Sequence, residues 1–355
     1  MNGPIETHPI LFYTNSQMSV FKNYINLLNL KCINIINNML NNLDLFSGMG
    51  GFSYVMHKKI KTIGYCDTSK HSKNVLLSLI KKQLIDDAPI FNDVLDINSS
   101  SFIDKPKPDM ITGGFPCQDI SSANKTGKGL DGKRSSLFYE IIRICDEIPS
   151  VQHVFLENVG RIVTTDIINV IKKTFTERGF DFKYVVLTAK QFGAPHTRRR
   201  CFMIATKNFA VLKEVRLTWE DRWGDIPDNM IRVNSLEEKN EMKYRCCLCG
   251  NSVVPACVAS AYNHMVHGET LPTLNIKLNI WMKSDYIEIC KPLWATPYAS
   301  FNLYKPYKLK SYRSTCVLFN QIWYSIGNEH RRTTEWTINP QFLEWMMGYP
   351  NDYTK

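Results

Sequence analysis

The stretch Leu43-Asp44-Leu45-Phe46-Ser47-Gly48-Met49-Gly50-Gly51-Phe52 decides how this chain is read. Leu43 to Phe46 has the short apolar pattern of a strand, a glycine loop follows, and a helix begins beyond it. Gly48, Gly50 and Gly51 let backbone N–H groups come close to a ligand at a helix N-terminus. Alone, such a Gly-x-Gly-Gly string fits many nucleotide ligands. Outward from it, short apolar runs recur at Thr62–Cys66, Met110–Thr112, Val154–Leu156, Tyr184–Leu187 and Cys201–Ala205. Helical patterns over 136–147 and 165–178 lie between them. Strands alternating with helices predict an α/β fold around a mostly parallel sheet, with ligands at the carboxyl ends of the strands.

Composition narrows the class. The chain has 355 residues, enough for one large domain and a smaller one. Its net charge of +10 favours a polyanionic partner. No uninterrupted apolar run reaches the roughly 18 residues of a membrane span. The first residues, Met1 to Thr7, lack a secretory pattern, so an intracellular location is expected. That means the cytoplasm for a prokaryotic or viral gene, and the nucleus for a eukaryote or its virus. The 11 cysteines read as reduced thiols. Cys246-Cys247-Leu248-Cys249 contains one Cys-x-x-Cys without a second pair, so no metal site is expected.

Past Thr206 the strand–helix alternation fades. Between 298 and 335, Tyr304, Tyr307, Tyr312, Trp323 and Tyr324 interleave with Lys305, Lys308, Lys310, Arg313, Arg331 and Arg332. This mixture suits a groove that neutralises phosphate and contacts bases. It equally suits a solvated face over packed aromatics.

Individual residues carry the chemistry. Asp67 ends the second strand, where a carboxylate can accept both ribose hydroxyl protons. Asp93, in Phe91-Asn92-Asp93-Val94, ends the next candidate strand and can take an exocyclic amine. Together with the glycine loop they favour an adenosine-bearing cofactor. In Gly113-Gly114-Phe115-Pro116-Cys117-Gln118 two glycines and a proline bend the chain, so that a thiol projects from the scaffold. By itself Cys117 reads equally as a nucleophile or a small buried apolar residue. Glu157, in Phe155-Leu156-Glu157-Asn158-Val159, sits at a strand end, where burial raises a carboxyl pKa toward neutrality. A capping Glu–Asn pair is the alternative. Arg198 and Arg200 share one side of an extended segment, to brace a carboxylate, clamp phosphate or face solvent.

In combination these residues resemble the DNA cytosine-5 methyltransferase family. The matching strings are Asp44–Gly51, Pro116–Gln118, Gly132–Phe138, Glu157–Val159, Arg198–Arg200, Gly250–Pro255 and Ile338–Pro350. The resemblance runs from about residue 41 to the end. It implies a Rossmann-like S-adenosylmethionine-dependent methyltransferase sheet with a smaller, irregular target-recognition domain. It implies S-adenosyl-L-methionine as cofactor, held by Phe46, Gly48, Gly50, Gly51, Asp67, Asp93, Pro116, Leu137, Asn251 and Ser252. It also implies transfer of methyl to C5 of a flipped-out cytosine in double-stranded DNA. Cys117 would add to C6 as nucleophile, Glu157 would hold the exocyclic amine and N3, Arg198 and Arg200 would orient that carboxylate, and Asn158 would hold the loop.

Three departures stand out. His196 replaces the family's usual Gln. Asp67 replaces a common Glu and is followed by Thr68 where an aromatic is frequent, so adenine packing would rest on Phe46 and Leu137. Gly250-Asn251-Ser252 precedes the 339–350 motif instead of following it. The implied organisation is an extension over 1–39, a catalytic domain over 40–206, a hinge and cofactor-closing segment over 207–265, a recognition region over 266–335 and a supporting motif over 336–355. A monomer is expected, and a cognate restriction enzyme cannot be inferred. A tRNA methyltransferase on the same scaffold and a non-catalytic DNA-binding relative are the rival readings.

Overall fold

Two runs of alternating side chains show how the sheet is sandwiched. In the strand Val154-Phe155-Leu156, Val154 and Leu156 enter one apolar cluster and Phe155 enters another, as period-two geometry requires. The computed structural model describes residues 39–116, 137–219, 223, 231–233, 236–273, 336–338, 340–350 and 352–355, with backbone alone for 231–233, 236–243 and 336–338. The predicted positions Cys117, 132–136, 1–38 and 274–335 lie outside the described residues.

Seven strands form the sheet: β1 (Asn41–Leu45), β2 (Lys61–Cys66), β3 (Ile90–Phe91), β4 (Met110–Gly113), β5 (His153–Val159), β6 (Asp181–Thr188) and β7 (Arg199–Thr206). Their order is β3-β2-β1-β4-β5-β7-β6. The β1–β2, β1–β4, β2–β3 and β4–β5 pairs are parallel, and β7 runs antiparallel to both its neighbours. The mostly parallel sheet read from sequence is therefore present, with one reversal. β6 and β7 are joined by residues 189–198 with only a 3-10 turn between them, too little chain for the crossover that parallel strands need. Strand order reverses direction between β1 and β4, which opens a crevice at their carboxyl ends.

Helices α1 (Gly51–Met56), α2 (Lys70–Lys81), α3 (Leu137–Glu147), α4 (Ile167–Thr176), α5 (Phe209–Lys213), α6 (Leu236–Asn251), α7 (Pro255–His267) and α8 (Pro340–Met347) complete the described elements, with a two-stranded pair β8 (Ile231–Val233) and β9 (Trp336–Ile338). Ile168, Ile171 and Phe175 of α4 form a buried stripe at helical spacing and, with α3, cover the face that holds Leu43, Val154 and Leu156. The opposite face carries α1, α2, α7 and α8. Pro255 opens α7, where its missing N–H costs nothing, and Gly268 closes it with φ 73°.

Helix α8 docks on α6 through a buried charge pair. Arg245 Nη2 lies 3.1 Å from Glu344 Oε1, and Arg245 Nε donates to Thr354 Oγ1 at 2.7 Å. Thr354 N–H also donates to Glu344 at 2.9 Å, so the last residues are tied to the same carboxylate.

Two local readings change. Phe46 lies outside β1, in a left-handed turn with φ 53°. β3 ends at Phe91, and Asp93 instead caps the 3-10 turn Val94–Asp96. An Asp whose side chain can bond a backbone N–H two residues on favours a turn over continued strand pairing.

Candidate active site

The glycine loop, Asp67 and Asp93 lie beyond the carboxyl ends of β1, β2 and β3, and Glu157 and Asn158 lie near that of β5, beside Arg200 at the start of antiparallel β7. At the end of β1, Ser47 N–H donates to Cys66 O at 3.0 Å and Ser47 Oγ accepts Cys66 N–H at 3.0 Å, so the loop start is stitched to β2. Positive φ at Phe46 (53°), Gly48 (55°) and Gly50 (71°) then turns the loop tightly. A phenylalanine held there stores local strain of the sort that collects at functional sites. Gly48 N–H donates to Asp67 Oδ2 at 2.8 Å, and Ser69 N–H donates to Oδ1 at 2.8 Å. Each Asp67 oxygen retains a second lone pair. Asp93 receives Leu95 N–H on Oδ1 at 3.1 Å.

These features accord with an adenosine. Asp67 follows β2 directly and Asp93 lies two residues beyond β3, so both leave the carboxyl ends of adjacent parallel strands. One suits a cis-diol and the other an amine, and the glycine loop lies against the first. Half-buried Phe46 and Leu137 pack against one and the same apolar cluster.

Beneath the loop is a polar group that sequence reading passed over. Asp44 is 1% exposed and accepts Ser53 Oγ at 2.6 Å and Thr112 Oγ1 at 3.0 Å. Burial pushes its carboxyl up to about 7, against the pull of those hydroxyls. Nothing in the local string distinguishes Asp44 from a surface turn residue.

Gly51 has a different reason to be glycine from the one its string suggested. A Cβ there would stand 2.5 Å from Tyr349 Oη and 2.6 Å from Val253 Cγ2. Its bare backbone makes room for the C-terminal motif. Tyr349 Oη in turn shares a hydrogen bond with Ser252 Oγ (2.7 Å) and donates to Val253 O at 2.9 Å. The Ser252 side chain is thus engaged by Tyr349, while Asn251 ends α6 exposed.

On β5, Glu157 is 7% exposed, and its Oε1 lies 2.8 Å from Arg200 Nε. Burial pushes this carboxyl up, and the Arg200 and Arg198 guanidinium groups draw it back. A Cβ on Gly114 would come within 3.2 Å of Glu157 Oε2, so glycine lets the turn after β4 lie close to the carboxylate. Asn158 Nδ2 donates to Phe115 O at 3.2 Å, and its Oδ1 accepts Val159 N–H at 2.8 Å. Of these consecutive β5 residues, Glu157 lies close to Gly114 and Asn158 holds Phe115, which leads into half-buried Pro116 and then, in sequence, Cys117.

The two arginines do different things. Arg200 makes the ion pair. Arg198 is buried and donates from Nη1 to Gly250 O at 2.9 Å and from Nη2 to Ser252 O at 2.6 Å, clasping the end of α6. The same-side reading of the pair missed this because the acceptors lie far along the chain. His196, fully buried, accepts Arg198 N–H on Nδ1 at 3.2 Å and donates from Nε2 to Met346 O at 2.9 Å. These partners assign the neutral ring its proton on Nε2, and burial together with Arg198 lowers its pKa to about 3. Here the departure from Gln ties the arginine segment to α8.

Residues 40–252 match the family model for the C-5 cytosine-specific DNA methylase. The chain belongs to this family. Among curated relatives of this methylase chain, the Type II methyltransferase M.CviJI of Paramecium bursaria Chlorella virus IL3A is 30% identical over 64% of this chain and 59% of its own length. The Type II methyltransferase M.HhaI of Haemophilus parahaemolyticus is 32% identical over 47% and 49% respectively. The chain thus spans only about half to three fifths of these relatives' lengths. A solved methyltransferase of Entamoeba histolytica is 18% identical over 48% of this chain and 53% of that one, with a TM-score of 0.41. In this methylase-family chain, no helix among the described residues is long and apolar enough to cross a membrane.

Proposed function

We propose that the chain transfers a methyl group from S-adenosylmethionine to C5 of a flipped-out cytosine in double-stranded DNA, through a covalent bond between Cys117 and C6. The observation that supports this best is the pairing of buried Glu157 with Arg200, with the Gly114–Phe115 turn held beside it by Asn158. A carboxyl group beside the turn that delivers a thiol suits activation of a pyrimidine ring.

Cytosine C5 is a poor nucleophile until a thiolate adds at C6. When bound, S-adenosylmethionine supplies an electrophilic methyl group on a positively charged sulfur. Asp67 would accept the ribose hydroxyls, and Asp93 the exocyclic amine of the adenine. On the substrate side, Cys117 would form the bond to C6 and push electron density toward C5. Glu157, pushed toward its protonated form by burial, would hold the exocyclic amine and deliver a proton at N3 as the ring gains charge. Arg200 would keep that carboxyl aimed, and Arg198 would keep the α6 terminus against the site. Loss of the C5 proton to a base then lets the Cys117–C6 electrons return to sulfur.

The test is transfer of labelled methyl groups to duplex DNA and, in parallel, to RNA. The expected result is 5-methylcytosine in DNA, and none with Cys117→Ala of unchanged thermal stability. Undiminished product from that variant refutes the mechanism, and label entering RNA alone assigns the scaffold to the other nucleic acid.

A further inference from the structure

The turn that carries Asp93 is gripped from outside by one residue of α3. Asp93 caps it, with its own backbone extended and its Oδ1 on Leu95 N–H, and Val94–Asp96 form a single 3-10 turn. Arg143 reaches the carbonyls at both ends of this turn. Its Nη2 donates to Val94 O at 3.0 Å and its Nη1 to Ile97 O at 2.8 Å. The same guanidinium is braced on its own helix by Glu140, which accepts Nε–H at 2.7 Å, and by Glu147, which accepts from Nη1 at 2.9 Å.

That arrangement does more than decorate a surface. A guanidinium is a planar fork of fixed donors, and two carboxylates one turn before and one turn after hold this one in a single orientation. Isolated exposed ion pairs contribute little to stability, so the pairs are better understood by what they aim. They aim at two carbonyls, and the residue immediately before the first of them, Val94, is the carboxylate proposed for the adenine. Asp93 Oδ2 makes no hydrogen bond among the described residues. That oxygen is open to a ligand donor. The other proposed cofactor contacts, Asp67 and the glycine loop, hang from β2 and β1 and do not involve Arg143.

We propose that Arg143 is the positioning residue for adenine selectivity: by clamping the Val94–Ile97 turn it holds Asp93 where an exocyclic amine can be recognised. This rests on the reading of the site as an adenosine-cofactor site. A hydrogen bond to a charged acceptor is sensitive to displacement, so a turn released by even an ångström would lose the amine and keep the ribose and the methionyl end.

The experiment is calorimetric titration of the full chain with S-adenosylhomocysteine and with S-inosylhomocysteine, in which a carbonyl oxygen replaces the amine. The wild-type chain should prefer the adenosine ligand by about 10- to 100-fold, the range of one charge-assisted hydrogen bond. Arg143→Met should weaken the adenosine ligand by about tenfold or more and change the inosine ligand by less than about threefold. Asp93→Asn should do the same, and the double variant should lose nothing further. Arg143→Lys, which keeps the charge but not the fork, should fall between. Equal weakening of both ligands by Arg143→Met and Arg143→Lys would reduce Arg143 to general support and overturn the proposal, as would an intact preference. A wild-type chain that binds both ligands without preference removes the role of Asp93 and the inference with it. Binding of neither overturns the cofactor reading itself.

Discussion

Replacing Asp44 by asparagine should abolish the pH dependence that this one carboxylate imposes on stability. Asp44 lies 1% exposed beneath the glycine loop, with no cation among its partners. Its two hydroxyl donors are themselves supported, Thr112 by Asn42 Nδ2 at 2.9 Å and Ser53 by Thr62 Oγ1 at 3.1 Å. Burial dominates, and the nearby Asp67 charge adds to it, so the carboxyl moves from 3.8 to about 7. In the unfolded chain Asp44 ionises near its ordinary value. The folded state therefore binds the extra proton between those limits. Its contribution is complete below pH 3.8, is lost as pH rises toward 7, and is flat above that. At about 1.4 kcal/mol per pH unit the full loss is about 4 kcal/mol, of which about 2–3 falls between pH 5 and pH 8. An amide keeps the shape and is neutral throughout. Its NH2 can donate to Ser53 Oγ, which then turns its own proton to Thr62, at a cost of about 1 kcal/mol for the rearranged bonds. Urea unfolding of wild type and Asp44→Asn at pH 5, 6, 7 and 8 isolates the effect, because every other group titrates alike in both. The variant should gain about 2–3 kcal/mol on wild type across that range, with unchanged m-values. A difference that stays constant from pH 5 to pH 8 would mean that Asp44 ionises normally, and would refute the account.

Glu157→Gln keeps the size of the side chain but removes its proton and its attraction for Arg200. Methyl transfer in single turnover should fall by about 10²- to 10⁴-fold, with DNA affinity within a few fold. Gly51→Ala forces a methyl group against Tyr349 and Val253, and should cost about 1–3 kcal/mol in urea unfolding. Combining it with Tyr349→Phe should cost at least about 0.5 kcal/mol less than the sum of the two, because the clashing oxygen is gone. Glu344→Gln breaks the buried pair with Arg245 and should lower stability by about 3–5 kcal/mol, seen as a drop in the thermal midpoint.

Much of the site could be read along the chain because strand ends and turns are local signals. Glycines after an apolar run, and a carboxylate closing Phe155-Leu156, depend on neighbours within a few residues. The same locality explains the misplacements. A short apolar run carries no mark of where pairing stops, so the end of β3 at Phe91 and not at Asp93 is set by its pairing with β2. Phe46 continues the apolar run of β1 in sequence, although its backbone turns left-handed.

Spacing and residue chemistry were sufficient for the α/β class, for the glycine loop leaving β1, and for Asp67 just beyond β2, whereas Glu157, read as closing its strand, lies within β5, which pairs on through Val159. They could not say why Gly51 must be bare, because Tyr349 approaches it from near the far end of the chain. Nor could they divide the work of the two arginines. Arg198 meets carbonyls 52 and 54 residues away, and Arg200 meets a carboxylate on the neighbouring antiparallel strand. The Ser252–Tyr349 bond spans 97 residues, and the His196–Met346 bond 150. A hydrogen bond is directional and reaches about 3 Å, so its partner is set by which elements fold against one another. That packing follows from burying the two faces of the sheet, a property of the whole chain that no short string contains.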